Sequence, residues 1–234
     1  MTEISAVVFD VDGTLVDTNY LHAVTWWEAF RQYGHHVDMA RIHRAIGMGS
    51  DKLLDHLLPH DRDRAVDDEM RSAHRALYAP YWPRLRAFDG AADLLRACAN
   101  CGLRVVLASS ATDRELRALR DALDAEEVVD AATSSADAKE SKPAPDIVQI
   151  ALDRGEVAPD AAVFVGDSVW DVEACKKVGL PCIAFLTGGT CREELLEAGA
   201  VEIYEGPAEL LESLQDSLSP GDLFAGLGHR ALRS

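Results

Sequence analysis

Residues 9–18 read FDVDGTLVDT, and the apolar run Ala6 to Phe9 leads directly into them. A short apolar run broken at once by two aspartates and a glycine is the pattern of a buried strand that ends in a polar turn. The pattern recurs at Val105 to Ala108, Ala162 to Val165 and Ile183 to Leu186, each run followed by a polar or Gly-containing turn. None of the four alternates with polar residues, so each suits a parallel sheet covered on both faces. Helical periodicity fills the gaps, over Gly90 to Cys101, Asp113 to Leu123, Pro145 to Arg154 and Asp171 to Val178. Alternating strands and helices predict an α/β fold with a doubly wound parallel sheet.

Residues 18–86 break the rhythm. They carry helical patterns (WWEAFRQYG, ARIHRAIG, SDKLLDHLL, DDEMRSAHRALYAPYW) and no strand signal. The expected organisation is a core of residues 1–17 and 87–218, an all-helical insertion over 18–86, and a Gly-rich tail over 219–234. Hinges fall near Thr18 and near Phe88 to Gly90. A chain of 234 residues accommodates one substantial core and one small inserted domain.

The formal charge of -17 repels a nucleic-acid backbone, which argues against a nucleic-acid partner. An anionic substrate must then be drawn in locally, by a metal, a lysine and backbone N–H groups. The N-terminus MTEISAVVFD lacks the basic flank and cleavage site of a signal peptide. No apolar stretch approaches the roughly 20 residues that span a bilayer, so no membrane partner is expected. Five cysteines without a disulfide framework suit a reducing cytoplasm. Cys98 and Cys101 form a CxxC, but no second pair or histidine set completes a zinc site, and their helical context favours buried or half-buried thiols.

Ligands of doubly wound sheets bind beyond the carboxyl ends of the strands, so the polar residues after each run should converge there. These are Asp10 and Asp12; Ser109 and Ser110; Lys142 in SKPAPD; and Gly166, Asp167 and Ser168, with Asp171 one turn later. Phosphoryl transfer needs an in-line nucleophile, an acid for the leaving oxygen and positive charge on the equatorial oxygens. Asp10 suits the nucleophile, giving an aspartyl-phosphate that water later cleaves. Asp12 returns to the same side of an extended chain and suits the acid and base. Two anions repel, so a divalent cation must bridge Asp10 and the phosphate, and the hard oxygens of Asp10 and Asp167 suit Mg²⁺. Gly13 and Thr14 let the chain turn away from the strand. Ser109 and a backbone N–H near Ser110 suit phosphate oxygens, Lys142 the charge developing at phosphorus, and Asp171 either a metal-bound water or the orientation of Lys142. A first-turn acid that balances the helix dipole is the competing reading of Asp171. Turn or N-cap residues are the competing reading of Asp10 and Asp12.

FDVDGTLVDT, LASSA, SKPAPD and GDSVWD together resemble the four motifs of the haloacid dehalogenase superfamily, in the same order. The resemblance spans residues 4 to 215. It implies a Rossmann-like core, Mg²⁺ held by Asp10, Asp167 and the backbone carbonyl of Asp12, and a small helical cap over 18–86. Dehalogenases of that family lack the second aspartate of the first motif; Asp12 is present here. The phosphoglycolate phosphatase and β-phosphoglucomutase branch is the most similar, with His22 where that branch carries a cap-hinge histidine. Its mutases also grip a second phosphate with a cap arginine and lysine. Ser50 stands where that arginine is expected and no lysine lies near Tyr78, although Arg75 or Arg84 are substitutes. The expected activity is Mg²⁺-dependent hydrolysis of a small phosphorylated metabolite. A phosphomutase and a non-catalytic binding protein that keeps the fold are the alternatives. Met48, between Gly47 and Gly49, and His22 are candidate cap contacts; Trp26, Trp27 and Phe30 read as packing residues, and Gly188-Gly189-Thr190 as a turn. Oligomeric state is not readable from the sequence.

Overall fold

Strand β1 (Ala6–Phe9) is fully buried, with Val7 and Phe9 in one apolar cluster and Ala6 and Val8 in another. Both of its faces are covered, which is why its sequence does not alternate. The computed structural model describes residues 4–137 and 140–216, so the tail expected over 219–234 lies outside the described residues. Within them, β1 is followed by helices α1 (Asn19–Gln32), α2 (Met39–Ala45), α3 (Ser50–Leu57), α4 (Asp67–Tyr78) and α5 (Ala91–Asn100). There follow β2 (Arg104–Ala108), α6 (Asp113–Leu123), β3 (Ala131–Thr133), α7 (Asp146–Arg154), β4 (Ala162–Gly166) and α8 (Val169–Val178). The chain closes with β5 (Cys182–Phe185), α9 (Arg192–Ala198), β6 (Glu202–Tyr204) and α10 (Pro207–Asp216).

The six strands form one sheet in the order β3-β2-β1-β4-β5-β6, and every pairing is parallel. One face packs against α5, α6 and α10 through residues such as Leu94, Leu119 and Leu210. The other packs against α7, α8 and α9 through Val148, Cys175 and Leu195. This is the doubly wound, Rossmann-like arrangement that the strand and helix alternation predicts. The strand order reverses between β1 and β4, and a crevice opens beyond their carboxyl ends at such a switch point.

Two strands were not foreseen. β3 and β6 have three residues each, and β6 is only half buried, so neither offers a continuous apolar run. They are the outermost strands, where one ladder edge is free and the demand for apolar side chains is weakest. Helix α8 begins at Val169 rather than Asp171, because Ser168 caps it.

Helices α1 to α4 gather around their own apolar cluster, built from Trp26, Phe30, Ile42, Leu54 and Met70 among others. The segments that lead into and out of this group lie side by side: Asp17 N–H donates to Arg86 O at 2.9 Å, and Phe88 N–H to Leu15 O at 2.9 Å. The helical group thereby sits over the end of β1.

Candidate active site

Asp10 N–H donates to Val165 O at 2.9 Å, the last bond between β1 and β4 before the chain leaves the sheet. Beyond it Gly13 adopts φ +76°, a left-handed conformation that a side chain would strain, and a Cβ there would lie 2.4 Å from the Asn19 amide. The turn brings the Thr14 hydroxyl back to donate to Asp167 Oδ1 at 2.7 Å, with Asp10 Oδ2 3.3 Å away. Asp167 follows β4. Its Oδ2 accepts from Asn19 Nδ2 at 2.8 Å.

The start of α8 explains why Asp171 supports two readings at once. Ser168 is the N-cap: its hydroxyl accepts from Asp171 N–H at 3.3 Å and donates to Asp171 Oδ2 at 2.6 Å, while Ser168 N–H donates to the same Oδ2 at 3.1 Å. This reciprocal capping box fixes the carboxylate. Its other oxygen, Oδ1, is then aimed at Lys142 Nζ, 2.7 Å away. Lys142 Nζ also bonds Asp10 Oδ1, so one ammonium is held between two carboxylates. Asp171 is thus a helix cap and the orienting partner of Lys142.

Among the described residues, Asp10, Asp167 and Asp171 form the one group of His, Cys, Asp or Glu side chains placed to share a metal, with ligand oxygens within 4.8 Å of one another. The side-chain set therefore takes in Asp171 beside the expected Asp10 and Asp167, whereas the Asp12 carboxylate points elsewhere. All three carboxylates and Lys142 are at most 5% exposed. Three buried anions face one buried cation. Burial first, then the neighbouring Asp171 and Asp167 charges, push Asp10 well above the carboxylate range despite Lys142. Burial and Asp171 push Asp167 up to about 7. Burial alone would lower Lys142, but Asp10 and Asp171 outweigh it and keep the ammonium charged. An excess of buried oxygen anions fits a hard divalent cation such as Mg²⁺.

A carboxylate whose folded pKa is raised contributes stability that is present below its unfolded pKa and lost as pH rises through the folded one. For Asp167 that window runs from 3.8 to about 7. Above it the metal-free protein carries an uncompensated charge that a cation relieves. The Mg²⁺-induced rise in melting temperature is therefore expected to be larger at pH 8 than at pH 6, measured by scanning calorimetry against EDTA. An equal rise at both would show that the cluster does not take up the ion.

Asp12 faces the helical group. Its Oδ1 lies 3.3 Å from His22 Nε2, and Glu115 Oε1 on α6 is 3.8 Å from the same nitrogen. His22 Nδ1 is 3.3 Å from His74 Nε2, and His74 stacks on Trp26 with centroids 4.1 Å apart. Burial would lower His22, but the hydrogen bond and charge of Asp12, with Glu115, raise it. Burial, followed by His22 and Arg75, holds His74 well below the usual imidazole range. The two rings of the pair are thus shifted in opposite directions. Burial lifts Glu115 to about 7 against the pull of His22.

These groups line a cavity of about 170 Å³ between the sheet end and the helical group. Asp10, Asp12 and Lys142 form its floor; His22, Trp26 and Met48 face them from above. Of the residues singled out in the sequence, the lining takes in Asp10, Asp12, His22, Met48, Ser110 and Lys142; Asp167 and Asp171 touch Asp10 or Lys142 but do not line it. Ser110 lines the cavity, whereas the fully buried Ser109 is turned to the backbone, where its hydroxyl accepts from Ala111 N–H at 3.1 Å. Trp26 packs, as read, and lines the cavity as well. The loop around Met48 lies hard on the core: a Cβ on Gly47 would come 2.6 Å from Ser168 Oγ, and one on Gly49 would meet Ser141 at 2.1 Å.

Several site residues were not anticipated. Glu115, Arg71 and His74 lie on helices whose periodicity explains them as ordinary surface or core positions. Gly188, in the loop read as a turn, is needed for space as well, since a Cβ there would lie 1.9 Å from Asp167 Oδ2. Cys98 is buried, which pushes its thiol up to about 12, and Cys101 is exposed; both are free.

A doubly wound parallel sheet that brings an aspartate from the end of its first strand into a buried carboxylate and lysine cluster defines an α/β enzyme of the hydrolase class. The chain belongs to the haloacid dehalogenase-like hydrolases, whose family model matches residues 7–185. It is 31% identical to protein CbbY of Cereibacter sphaeroides over 88% of this chain and 94% of that one. It is 28% identical to a phosphorylated carbohydrates phosphatase of Thermotoga maritima, over 91% and 99% of the two chains. The crystal structure of a hydrolase from Pseudomonas syringae superposes with a TM-score of 0.85 at 28% identity, covering 91% of this chain and 98% of that one.

Proposed function

We propose that the protein is a Mg²⁺-dependent phosphatase of a small phosphate monoester, a sugar phosphate or a phosphoglycolate-like compound, acting through a phosphoenzyme on Asp10. The observation that carries this reading is that Asp10 and Lys142, which line the cavity, are also in contact with the buried Asp167 and Asp171 carboxylates. The names of the relatives support it, since one is a phosphatase of phosphorylated carbohydrates. Asp10, Asp167 and Asp171 are the side chains placed to hold Mg²⁺, which when bound neutralises the phosphate so that a carboxylate can approach it.

In this reading an Asp10 oxygen forms the new bond to phosphorus while the bond to the ester oxygen breaks. Asp12 delivers a proton to that oxygen. Water then attacks phosphorus, Asp12 takes its proton, and Asp10 leaves as the carboxylate with inorganic phosphate. Lys142 holds Asp10 in place and faces the charge that develops at phosphorus. His22 fixes the Asp12 carboxylate through Oδ1. Residues 18–86 act as a cap that excludes water, latched to the core by the Trp170 Nε1–H bond to Arg44 O at 3.1 Å and the Lys52 to Glu140 pair at 3.0 Å.

A phosphomutase is the second reading, favoured by Arg71 and Arg75 on the cavity wall, where a second phosphate would meet positive charge. The test is a panel of phosphate esters, p-nitrophenyl phosphate among them, incubated with Mg²⁺ while released phosphate and isomers are both measured. Phosphate release is the expected result. Isomer formed from a sugar 1-phosphate and its bisphosphate without free phosphate would establish the mutase, and no reaction with any ester would leave a binding protein. No helix among the described residues is long and apolar enough to cross a membrane.

A further inference from the structure

Asn19 is the first residue of α1, the helix that begins the cap, yet its side chain belongs to the floor of the site. It is 5% exposed. Its Nδ2 donates to Asp167 Oδ2 at 2.8 Å and lies 3.4 Å from Gly188 O. Two glycines make this position available. Gly13 presents bare backbone to the amide, and a Cβ there would come within 2.4 Å of both its nitrogen and its oxygen. Gly188 likewise leaves room for the Asp167 carboxylate. Three segments that are distant in sequence therefore shape one small space around Asn19 and Asp167.

The other half of the amide is unexplained by the protein alone. Asn19 Oδ1 is buried and has no hydrogen-bond donor in reach. A buried amide oxygen left unpaired costs about 1–3 kcal/mol, so such an atom next to a carboxylate cluster points to a donor supplied from outside the chain. A water carried by a hydrated divalent cation is such a donor, because Mg²⁺ keeps several of its waters when bound. An Nδ2 that fixes Asp167 and an Oδ1 that awaits a donor are the two halves of an outer-sphere metal contact.

We propose that Asn19 is a positioning residue for the cation: its N–H fixes the orientation of Asp167, and its oxygen accepts a hydrogen bond from a water in the hydration shell of the ion. The inference rests on the proposed use of Mg²⁺. It also ties the beginning of the cap to the occupancy of the metal site, because α1 cannot swing away without breaking the bond to Asp167.

The test measures Mg²⁺ binding by isothermal calorimetry, with no substrate, on the wild type and on Asn19→Ala and Asn19→Ser. Removing an outer-sphere partner typically weakens metal affinity about 10–100-fold, and that loss is expected in both variants. Asn19 and Asn100 are the only asparagines of the chain, so the side-chain amide signal of Asn19 is readily assigned in the folded wild type by through-bond correlation to its own backbone. Mg²⁺ is expected to shift that signal and to leave that of Asn100 in place. A dissociation constant within twofold of wild type in a variant, or an Asn19 amide signal indifferent to Mg²⁺, would overturn the proposal; the second readout needs no variant to remain stable. Failure of the wild type to bind Mg²⁺ would instead sink the metal-dependent reading of the site.

Discussion

Asp10→Asn is expected to lower phosphate release by at least about 1,000-fold while leaving the fold intact or more stable. The two side chains have the same shape, and an amide oxygen still accepts from Lys142. What is lost is the oxygen anion that attacks phosphorus. The direction of the stability change follows from the burial of Asp10: its raised pKa means that folding disfavours the ionised form relative to the unfolded chain. Replacing it with a neutral isostere leaves one ammonium facing two carboxylates rather than three. In EDTA at pH 8 the variant should melt no lower than the wild type, and Mg²⁺ should raise its melting temperature less. Acid-quenched wild type should carry a phosphoryl group on the peptide that contains Asp10, absent from the variant. Phosphate release within tenfold of wild type would assign the nucleophile to another residue.

This combination, lost activity with retained or gained stability, separates a chemical role from a structural one. A mutation that merely opened a hole in the core would lower both. Asp10 sits at the end of a strand whose remaining residues are fully buried and apolar, so the sheet itself does not depend on it.

The sheet was legible because its inner strands announce themselves. Ala6–Phe9 and Ala162–Gly166 are buried on both faces and carry no polar residue before their ends. The positions of Asp10 and Asp167 then follow from where the apolar runs stop. β3 and β6 lie at the margins, where three residues suffice to pair and one side remains open, and there local sequence carries little information. The same distinction holds within the site. Asp10, Asp12, Lys142 and Asp167 lie beside strand ends or in a distinctive short motif. Asn19 and Glu115 lie in helical segments, and their roles depend on how far those helices are carried across the molecule: Asn19 meets a residue 148 positions away. Gly188 is the intermediate case. The turn is visible in Gly188-Gly189, but the reason for the first glycine is a carboxylate from β4 that only the folded chain brings there.

The second large effect is expected at Lys142. Lys142→Met keeps most of the length and apolar stem of the side chain and removes its charge. Lys142 is 2% exposed, and no solvent replaces what it gives to Asp10 and Asp171. Breaking a buried ion pair on one side destabilises a protein by about 3–5 kcal/mol, because the remaining charge stays buried without a partner. For a chain of this size that corresponds to a fall in melting temperature of about 6–20 °C. The fall should be larger at pH 8 than at pH 6, since protonation relieves the orphaned carboxylates, and Mg²⁺ should restore part of it. Activity should fall about 100- to 1,000-fold through the missing charge at phosphorus, and Mg²⁺ should not restore it. The double variant Lys142→Met with Asp171→Asn distinguishes the two effects. Removing the second charge should recover stability relative to Lys142→Met alone, a coupling that only neighbouring groups show, while activity remains low. Equal melting temperatures for wild type and Lys142→Met in EDTA at pH 8 would mean that the lysine is not the cation on which the carboxylate cluster is built.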